Sequence, residues 1–189
     1  MTEALLITGT VGAGKTTVAE AVGDLLTEQT VPHAVIDVDW LRRSWPSPPG
    51  DPFHHGLTLR NLRAVTTGFR EAGARRLILA GVVESRTERD DYEAAVGVSL
   101  TVCRLQINLA TVRVRLHRRH ETNPAALKWF LDRATHLDRV LHEAALEDVL
   151  INGSTLTPQE TARKVLASWS KSATPVRRDQ NPDTDSPPS

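Results

Sequence analysis

The sequence predicts an α/β domain in which a five-stranded parallel sheet is covered by helices on both faces. Short apolar runs, typical of buried parallel strands, alternate along the chain with longer segments of helical periodicity. With 189 residues, the chain is long enough for one domain with a core and too short for two ordinary domains. We expect this domain to span residues 1–170. Residues 171–189 are rich in Pro, Ser and Asp without an apolar period, which predicts a disordered tail.

The five predicted strands are the apolar runs at residues 4–8, 33–39, 75–83, 98–108 and 148–152. Helical spacing of apolar residues predicts helices over residues 15–30, 57–73, 86–96, 109–121, 124–146 and 157–169. At most a short helix is expected at residues 40–45, because four prolines and a glycine follow within residues 46–52.

Composition argues against several classes of function. Lys plus Arg and Asp plus Glu each number 23, so the net charge is zero, which disfavours nucleic-acid or membrane binding by bulk electrostatics. No apolar run approaches the roughly 18 residues that would span a bilayer, and the first residues do not resemble a signal peptide. The single cysteine, Cys103, rules out an intrachain disulfide. These features predict a cytoplasmic protein, monomeric or homodimeric.

A glycine-rich segment follows the first strand and opens the first helix. Residues 9–16, GTVGAGKT, match the P-loop pattern G-x-x-x-x-G-K-[ST] without a mismatch. Glycines allow the backbone N–H groups to converge on phosphate oxygens, and the helix adds its positive N-terminal end. The segment predicts nucleoside triphosphate binding and the P-loop NTPase fold, with strand order 2-3-1-4-5. The predicted nucleotide-binding residues are Gly9, Val11, Gly12, Ala13, Gly14, Lys15, Thr16 and Thr17.

Two acidic residues, Asp37 and Asp39, end the predicted second strand, at the sheet edge where ligands bind in doubly wound folds. Lys15 is expected to contact the β- and γ-phosphates, and Thr16 to ligate Mg²⁺ together with Asp37. Asp39 is the predicted base that takes a proton from an acceptor hydroxyl. The roles of the two acids could be exchanged, and either could serve only as a helix N-cap.

Other classes of P-loop protein lack support in this sequence. The N-K-x-D motif of guanine-nucleotide switches and the L-S-G-G-Q signature of transporter ATPases are both missing. The third strand runs into Gly81 without an acidic residue, although Glu84 follows and could help to hold Mg²⁺.

The order of motifs resembles that of small-molecule kinases of the adenylyl-sulfate kinase and gluconate kinase kind. The shared pattern after the second strand is D-x-D-x-x-R, here Asp37, Asp39 and Arg42. Similar motifs later in the chain place Asn61 and Arg63 on the next helix, and Arg86 and Arg89 after the third strand. The layout is also similar to that of chloramphenicol phosphotransferase, in which a second-strand aspartate acts as the base. The resemblance implies ATP and Mg²⁺ as cofactors and an acceptor site formed by Asp37, Asp39, Arg42, Arg63 and Arg86. Arg89 could join the other arginines in a cluster that binds an anionic group of the acceptor.

An arginine-rich helix follows the fourth strand, with arginines at 113, 115, 118 and 119. Small P-loop kinases place arginines on a mobile lid, where positive charge stabilises the transferring phosphoryl group. Arg115 and Arg119 are four residues apart on the exposed side and are the predicted catalytic pair. A solvated helix face is the alternative interpretation.

Together these patterns predict a kinase that transfers the γ-phosphate of Mg-ATP to a hydroxyl of a small metabolite or antibiotic. An adenylyl-sulfate or nucleotide kinase is the alternative within catalysis. A nucleotide-binding regulatory protein without catalytic activity is the alternative of another class. Trp40 and Trp45 flank the acidic segment, so one of them could stack on an acceptor ring.

Overall fold

The computed structural model describes residues 2–172 and contains a five-stranded parallel sheet in the order β2-β3-β1-β4-β5. The strands are β1 (Glu3–Thr8), β2 (His33–Asp37), β3 (Arg76–Ala80), β4 (Leu100–Gln106) and β5 (Val149–Asn152). The predicted fold class, strand order and number of strands are confirmed. Because β1 lies at the centre, the loop that follows it emerges in the middle of the carboxyl edge of the sheet.

Seven helices connect or follow these strands in the described part of the chain. They are α1 (Lys15–Glu28), α2 (Val38–Leu41), α3 (His55–Glu71), α4 (Arg86–Val96), α5 (Leu109–Arg119), α6 (Pro124–Ala144) and α7 (Pro158–Ser172). The sequence also predicts α7 but ends it at residue 169, whereas the helix includes two residues of the predicted tail, Lys171 and Ser172. The rest of that predicted tail, residues 173–189, lies outside the described residues.

The end of β2 differs from the prediction in a way that matters for the site. The strand ends at Asp37 rather than at residue 39, because the Asp37 carboxylate accepts a hydrogen bond of 2.9 Å from the backbone N–H of Asp39. Asp37 is thereby the N-cap of α2, and Asp39 lies in the first turn of that helix. The predicted short helix at 40–45 therefore begins two residues earlier and ends at Leu41.

Apolar side chains form a core on each face of the sheet. On one face the sheet packs against α1, α5, α6 and α7, with Leu26, Leu116 and Trp169 among the buried residues. On the other it packs against α2, α3 and α4, with Leu62 and Tyr92 buried. The P-loop, at the end of the central strand, is thus flanked by α5 and α6 on one side and by α2 on the other.

Two features noted in the sequence, the single cysteine and the lack of a long apolar run, have structural counterparts. Cys103 is buried in β4, and burial raises the pKa of its thiol to about 12, so the thiolate is not accessible at neutral pH. Among the described helices, none has the length and apolar character needed to cross a bilayer.

Candidate active site

The P-loop turns through backbone conformations that favour glycine. Gly12 and Gly14 have φ values of 78° and 91°, in the left-handed region. A Cβ atom at Gly9 would lie 2.8 Å from the backbone oxygen of Leu105, so a side chain there would push the loop away from β4. Gly14 is the N-cap of α1 and carries no capping side chain, and no acidic residue occupies the first turn. The N–H groups and positive end of α1 are therefore available to an anion.

Lys15 folds back over this loop. Its Nζ donates to the backbone oxygens of Gly9 at 3.1 Å and Thr10 at 3.2 Å. Burial lowers the pKa of the Lys15 ammonium, while the nearby charges of Asp39 and Asp37 act to raise it. Burial deprives the Lys15 ammonium of hydration, and two carbonyls alone do not neutralise its charge. Negatively charged phosphate oxygens would do so, which makes the group suited to an anionic ligand.

A hydrogen-bonded chain links the P-loop to α2. The Thr16 hydroxyl donates to Asp37 Oδ2 at 2.7 Å, while Asp37 Oδ1 accepts the N–H of Asp39. Asp37 is thus both the N-cap of α2 and a hydrogen-bond partner of the P-loop threonine. The Thr16 hydroxyl and the Asp37 carboxylate are hard oxygen donors side by side, which fits the ligand preference of Mg²⁺.

Asp39 and Arg42 lie together on one face of α2. Arg42 Nε is 3.5 Å from Asp39 Oδ1, and the Asp39 side chain is 66% exposed. Arg42 also lies near Tyr92, whose pKa is raised to about 12, mainly by burial. The end of α2 is held by Asn61, whose amide donates to the backbone oxygen of Leu41 at 2.7 Å. Asp39 is therefore an open carboxylate on a short helix that its neighbours fix in place.

The arginine-rich helix α5 lies against the P-loop. Arg115 Nη1 donates to the backbone oxygens of Ala13 at 3.2 Å and Gly12 at 3.4 Å. Arg119 is one turn further along, and its charge acts to lower the pKa of Lys15. Val112 and Leu116, which are buried, fix this orientation of the helix. The structure thus brings both arginines of the predicted pair to the phosphate side of the site.

Three other arginines of the predicted acceptor cluster are not brought together with Arg42. Arg63 on α3 and Arg86 at the start of α4 are exposed, and neither side chain has a hydrogen bond or ion pair with a described residue. The suggestion that Arg89 belongs to this cluster is wrong. Its guanidinium binds Asp148 at 2.9 Å and the backbone oxygen of Leu100, the first residue of β4. Arg89 therefore lies at the amino edge of the sheet, opposite the site.

Two contacts at the site have no clear signal in the sequence. Glu84, considered above as a metal ligand, forms an ion pair with Arg133 of α6. The Thr10 hydroxyl, inside the P-loop, donates to the backbone oxygen of Ala134 at 2.7 Å. Proximity to the end of β3 could have suggested Glu84, but no motif points to Arg133.

A cavity of about 230 Å³ lies next to the P-loop. Its lining includes Ala13, Thr17, Arg115, Gly153, Leu156 and Pro158. Gly153 and Leu156 come from the segment between β5 and α7, and Pro158 is the first residue of α7. The cavity is mainly apolar in composition, as a pocket for a flat heterocycle should be.

Known proteins share both the sequence pattern and the fold. The sequence profile of the adenylylsulphate kinase family matches residues 1–124. No curated protein matches the chain in sequence.

Among solved structures, the Deinococcus radiodurans tunicamycin resistance protein is 22% identical, with a TM-score of 0.63 and coverage of 89% of this chain and 95% of that chain. The Mycobacterium tuberculosis APS kinase, solved with AMPPNP and APS, is 20% identical, with a TM-score of 0.59 and coverage of 88% and 96%. A Sinorhizobium meliloti gluconokinase is 19% identical, with a TM-score of 0.59 and coverage of 90% and 93%. These structures share the fold, and the family profile spans the P-loop, α2 and α5. The chain belongs to the adenylylsulphate kinase family of small-molecule P-loop kinases.

Proposed function

We propose that this protein transfers the γ-phosphate of Mg-ATP to a hydroxyl group of a small molecule. The observation that carries the proposal is the hydrogen-bonded chain from Thr16 through Asp37 to the backbone of Asp39. It joins a phosphate-binding loop directly to the helix that presents an open carboxylate. A protein that only binds nucleotide has no need of a base at this place.

The P-loop amides and Lys15 would hold the β- and γ-phosphates, and Arg115 and Arg119 would approach them from α5. The cavity beside the P-loop would take the base of the nucleotide. Thr16 and Asp37 are the residues that would hold Mg²⁺, which supplies positive charge to the phosphates when bound.

In the chemical step, Asp39 would accept the proton of the acceptor hydroxyl as its oxygen forms a bond to the γ-phosphorus. The bond between this phosphorus and the β–γ bridging oxygen breaks, and ADP leaves with the bonding electron pair. Lys15, Arg115 and Arg119 would stabilise the charge that spreads over the phosphoryl oxygens in the transition state.

The acceptor side of the site is built around α2. Asp37, Asp39 and Arg42 are our proposed acceptor-binding residues there, with Arg63 and Arg86 contributing if the acceptor extends toward α3 and α4. Trp40 is 66% exposed, with the guanidinium of Arg43 stacked 4.4 Å from its ring centroid. An acceptor with a flat ring would find an apolar surface there. Adenylyl sulfate, a sugar acid and an antibiotic are the acceptor types suggested by the relatives.

A screen of ADP release tests the proposal, with sugars and sugar acids, nucleosides, adenylyl sulfate and antibiotics as acceptors. We expect release that depends on one acceptor class and disappears in Lys15→Ala. Asp39→Asn should bind ATP normally and turn over slowly. Magnesium-dependent ATP binding without acceptor-dependent release for any class would instead support the regulatory alternative.

A further inference from the structure

Two polar contacts at consecutive residues of α6 join this helix to the phosphate-binding edge of the sheet. We propose that they are positioning contacts for phosphoryl transfer: Thr10, and the pair Glu84–Arg133, fix the place of the P-loop and its lysine relative to α6. The inference rests on the proposed function for its kinetic test, and it names residues that are neither fixed positions of the P-loop pattern nor members of the arginine pair of α5.

The first contact is buried. Thr10 is 3% exposed and Ala134 2% exposed, and the Thr10 hydroxyl donates to the Ala134 oxygen at 2.7 Å. A helix carbonyl has two lone pairs, so this oxygen can accept the threonine without giving up its helical partner. The bond spans 124 positions of the chain. It is specific to a hydroxyl, because an apolar side chain of the same shape would leave this interaction unmade.

The backbone of Thr10 also takes part in a hydrogen bond. Its backbone oxygen accepts from Lys15 Nζ at 3.2 Å, so a single residue connects α6 with the cation of the P-loop. If the side-chain bond is lost, the Thr10 carbonyl is free to move, and the ammonium group moves with it. Displacements of about 1 Å in catalytic groups can cost a hundredfold in rate. The position of α6 is therefore transmitted to the group that meets the γ-phosphate.

The second contact comes from the neighbouring residue. Arg133 pairs with Glu84, and both side chains are about one-third exposed. Glu84 is itself fixed, because its backbone N–H donates to the Glu88 carboxylate at 2.6 Å and Glu88 N–H donates to the Ser85 hydroxyl at 3.2 Å. These two hydrogen bonds at the start of α4 resemble a capping box and hold the backbone of Glu84, so the ion pair ties α6 to the loop that follows β3.

The two contacts lie at the point along α6 where the burial of its side chains changes. Beyond them, Leu137 and Leu141 are buried, and Arg104 donates to the Leu141 oxygen at 3.0 Å. On the N-terminal side of the two contacts, none of the α6 residues 124–133 is fully buried. The C-terminal half of α6 is thus buried more deeply than the N-terminal half, whose Leu127, Phe130 and Leu131 are only partly buried against the core, and residues 133–134 lie at the transition.

The kinetic test compares Thr10→Val, which keeps the shape and removes the donor, with Thr10→Ser, which keeps the donor. We expect Thr10→Val to lower kcat about tenfold with the KM for ATP changed less than about threefold. Thr10→Ser should stay within about twofold of the wild type. Thr135→Val is the matched control, because the Thr135 hydroxyl also donates to a carbonyl of α6, that of Leu131, but on the exposed side of the helix. It should leave both constants unchanged.

The ion pair is tested by Glu84→Gln, Arg133→Gln and the double variant. If the pair acts as a unit, each single variant lowers kcat by a similar factor and the double variant is no worse than either. A purely structural role would instead lower the melting temperature in all three while kcat stays at the wild-type value. That result, or equal rates in Thr10→Val and Thr10→Ser, would overturn the inference while leaving the proposed function intact.

Hydrogen exchange gives a readout that does not need the acceptor. In the wild type and in Thr10→Ser, we expect the non-hydrolysable ATP analogue AMPPNP to slow amide exchange in residues 124–134. In Thr10→Val, this protection should be reduced at least fivefold although the P-loop is still protected. Equal protection in all three proteins would refute the coupling. If no acceptor is ever phosphorylated, the proposed function fails, and this measurement still decides whether Thr10 couples the P-loop to α6.

Discussion

The phosphate side and the acceptor side of the site are built differently. On the phosphate side, charged and polar groups already have partners within the protein: Lys15 binds two carbonyls, Thr16 binds Asp37, and Arg115 binds the P-loop backbone. On the acceptor side, Arg63 and Arg86 are exposed and have no polar partner in the described chain. The phosphate side of the site is therefore preorganised, whereas the acceptor side is open to solvent.

This contrast has a chemical reason. The triphosphate is the same for every kinase of this kind, so its site can be built from contiguous backbone and one helix end. The acceptor varies, and the residues that we propose for its site come from three separate helices, α2, α3 and α4. Substitutions on the phosphate side should therefore affect the transition state, and those on the acceptor side, apart from the proposed base Asp39, mainly the KM for the acceptor. The predictions below test this division, from the largest effect to the smallest.

Lys15→Ala should have the largest effect. Loss of the cation that meets the γ-phosphate should lower turnover about a thousandfold or more, because phosphoryl transfer depends on charge stabilisation. ADP release measured with a confirmed acceptor gives the rate. The melting temperature should not fall, because the variant removes a cation whose burial is unfavourable.

Lys164→Ala, on the exposed face of α7, is the matched control for Lys15→Ala and should keep the wild-type rate. A Lys15→Ala variant with more than a tenth of wild-type turnover would show that the phosphate side does not depend on this residue.

Asp39→Asn should lower kcat about a hundredfold, since the amide cannot accept the proton of the acceptor hydroxyl. Calorimetry with ATP and magnesium should give an affinity within about twofold of the wild type. Asp37→Ala offers a contrast, because Asp37 both binds Thr16 and caps α2, so this variant should also lose about 1 kcal/mol of stability. Unchanged turnover in Asp39→Asn would remove the assignment of the base.

The phosphate side could be predicted from the sequence because its determinants are local. The P-loop pattern spans eight residues, and Asp37 and Asp39 follow a strand whose end marks the ligand edge of the sheet. The boundary of β2 was misplaced by two residues. Periodicity could not show that the Asp37 side chain would cap a helix at once, since the choice between strand and cap depends on a single hydrogen bond.

The rest could not be predicted because it depends on contacts between distant segments. The Arg89 guanidinium reaches Asp148, 59 positions away, and nothing in the local pattern distinguishes it from an arginine that faces a ligand. The Thr10–Ala134 bond involves a backbone carbonyl, which carries no sequence signal at all. The ion pair of Arg133 with Glu84 can likewise be foreseen only once α6 is placed beside the loop that follows β3.

The arginines of α5 should have an intermediate effect. Arg115→Ala should lower kcat between about 10-fold and 100-fold, because Arg115 already lies on the P-loop. Arg119→Ala should lower kcat less, about fivefold to tenfold, because Arg115 and not Arg119 is hydrogen-bonded to the P-loop backbone among the described residues. Arg118→Ala is the control on the same helix, exposed and without a polar partner among the described residues, and should have no effect. If Arg118→Ala were as slow as Arg115→Ala, general positive charge of the helix would explain the rates.

The smallest effects are expected for Arg63→Ala and Arg86→Ala. Both side chains are exposed and unpaired in the described structure, so the free energy of unfolding should change by less than about 0.5 kcal/mol. If the two arginines bind an anionic part of the acceptor through solvent-exposed contacts, each variant should raise the KM for the acceptor about threefold to fivefold at unchanged kcat. Arg163→Ala, exposed on α7, is the control. An effect on kcat instead of KM would contradict the division of the site, since it would place these arginines at the transferring phosphoryl group; no effect on either constant would confine acceptor binding to α2.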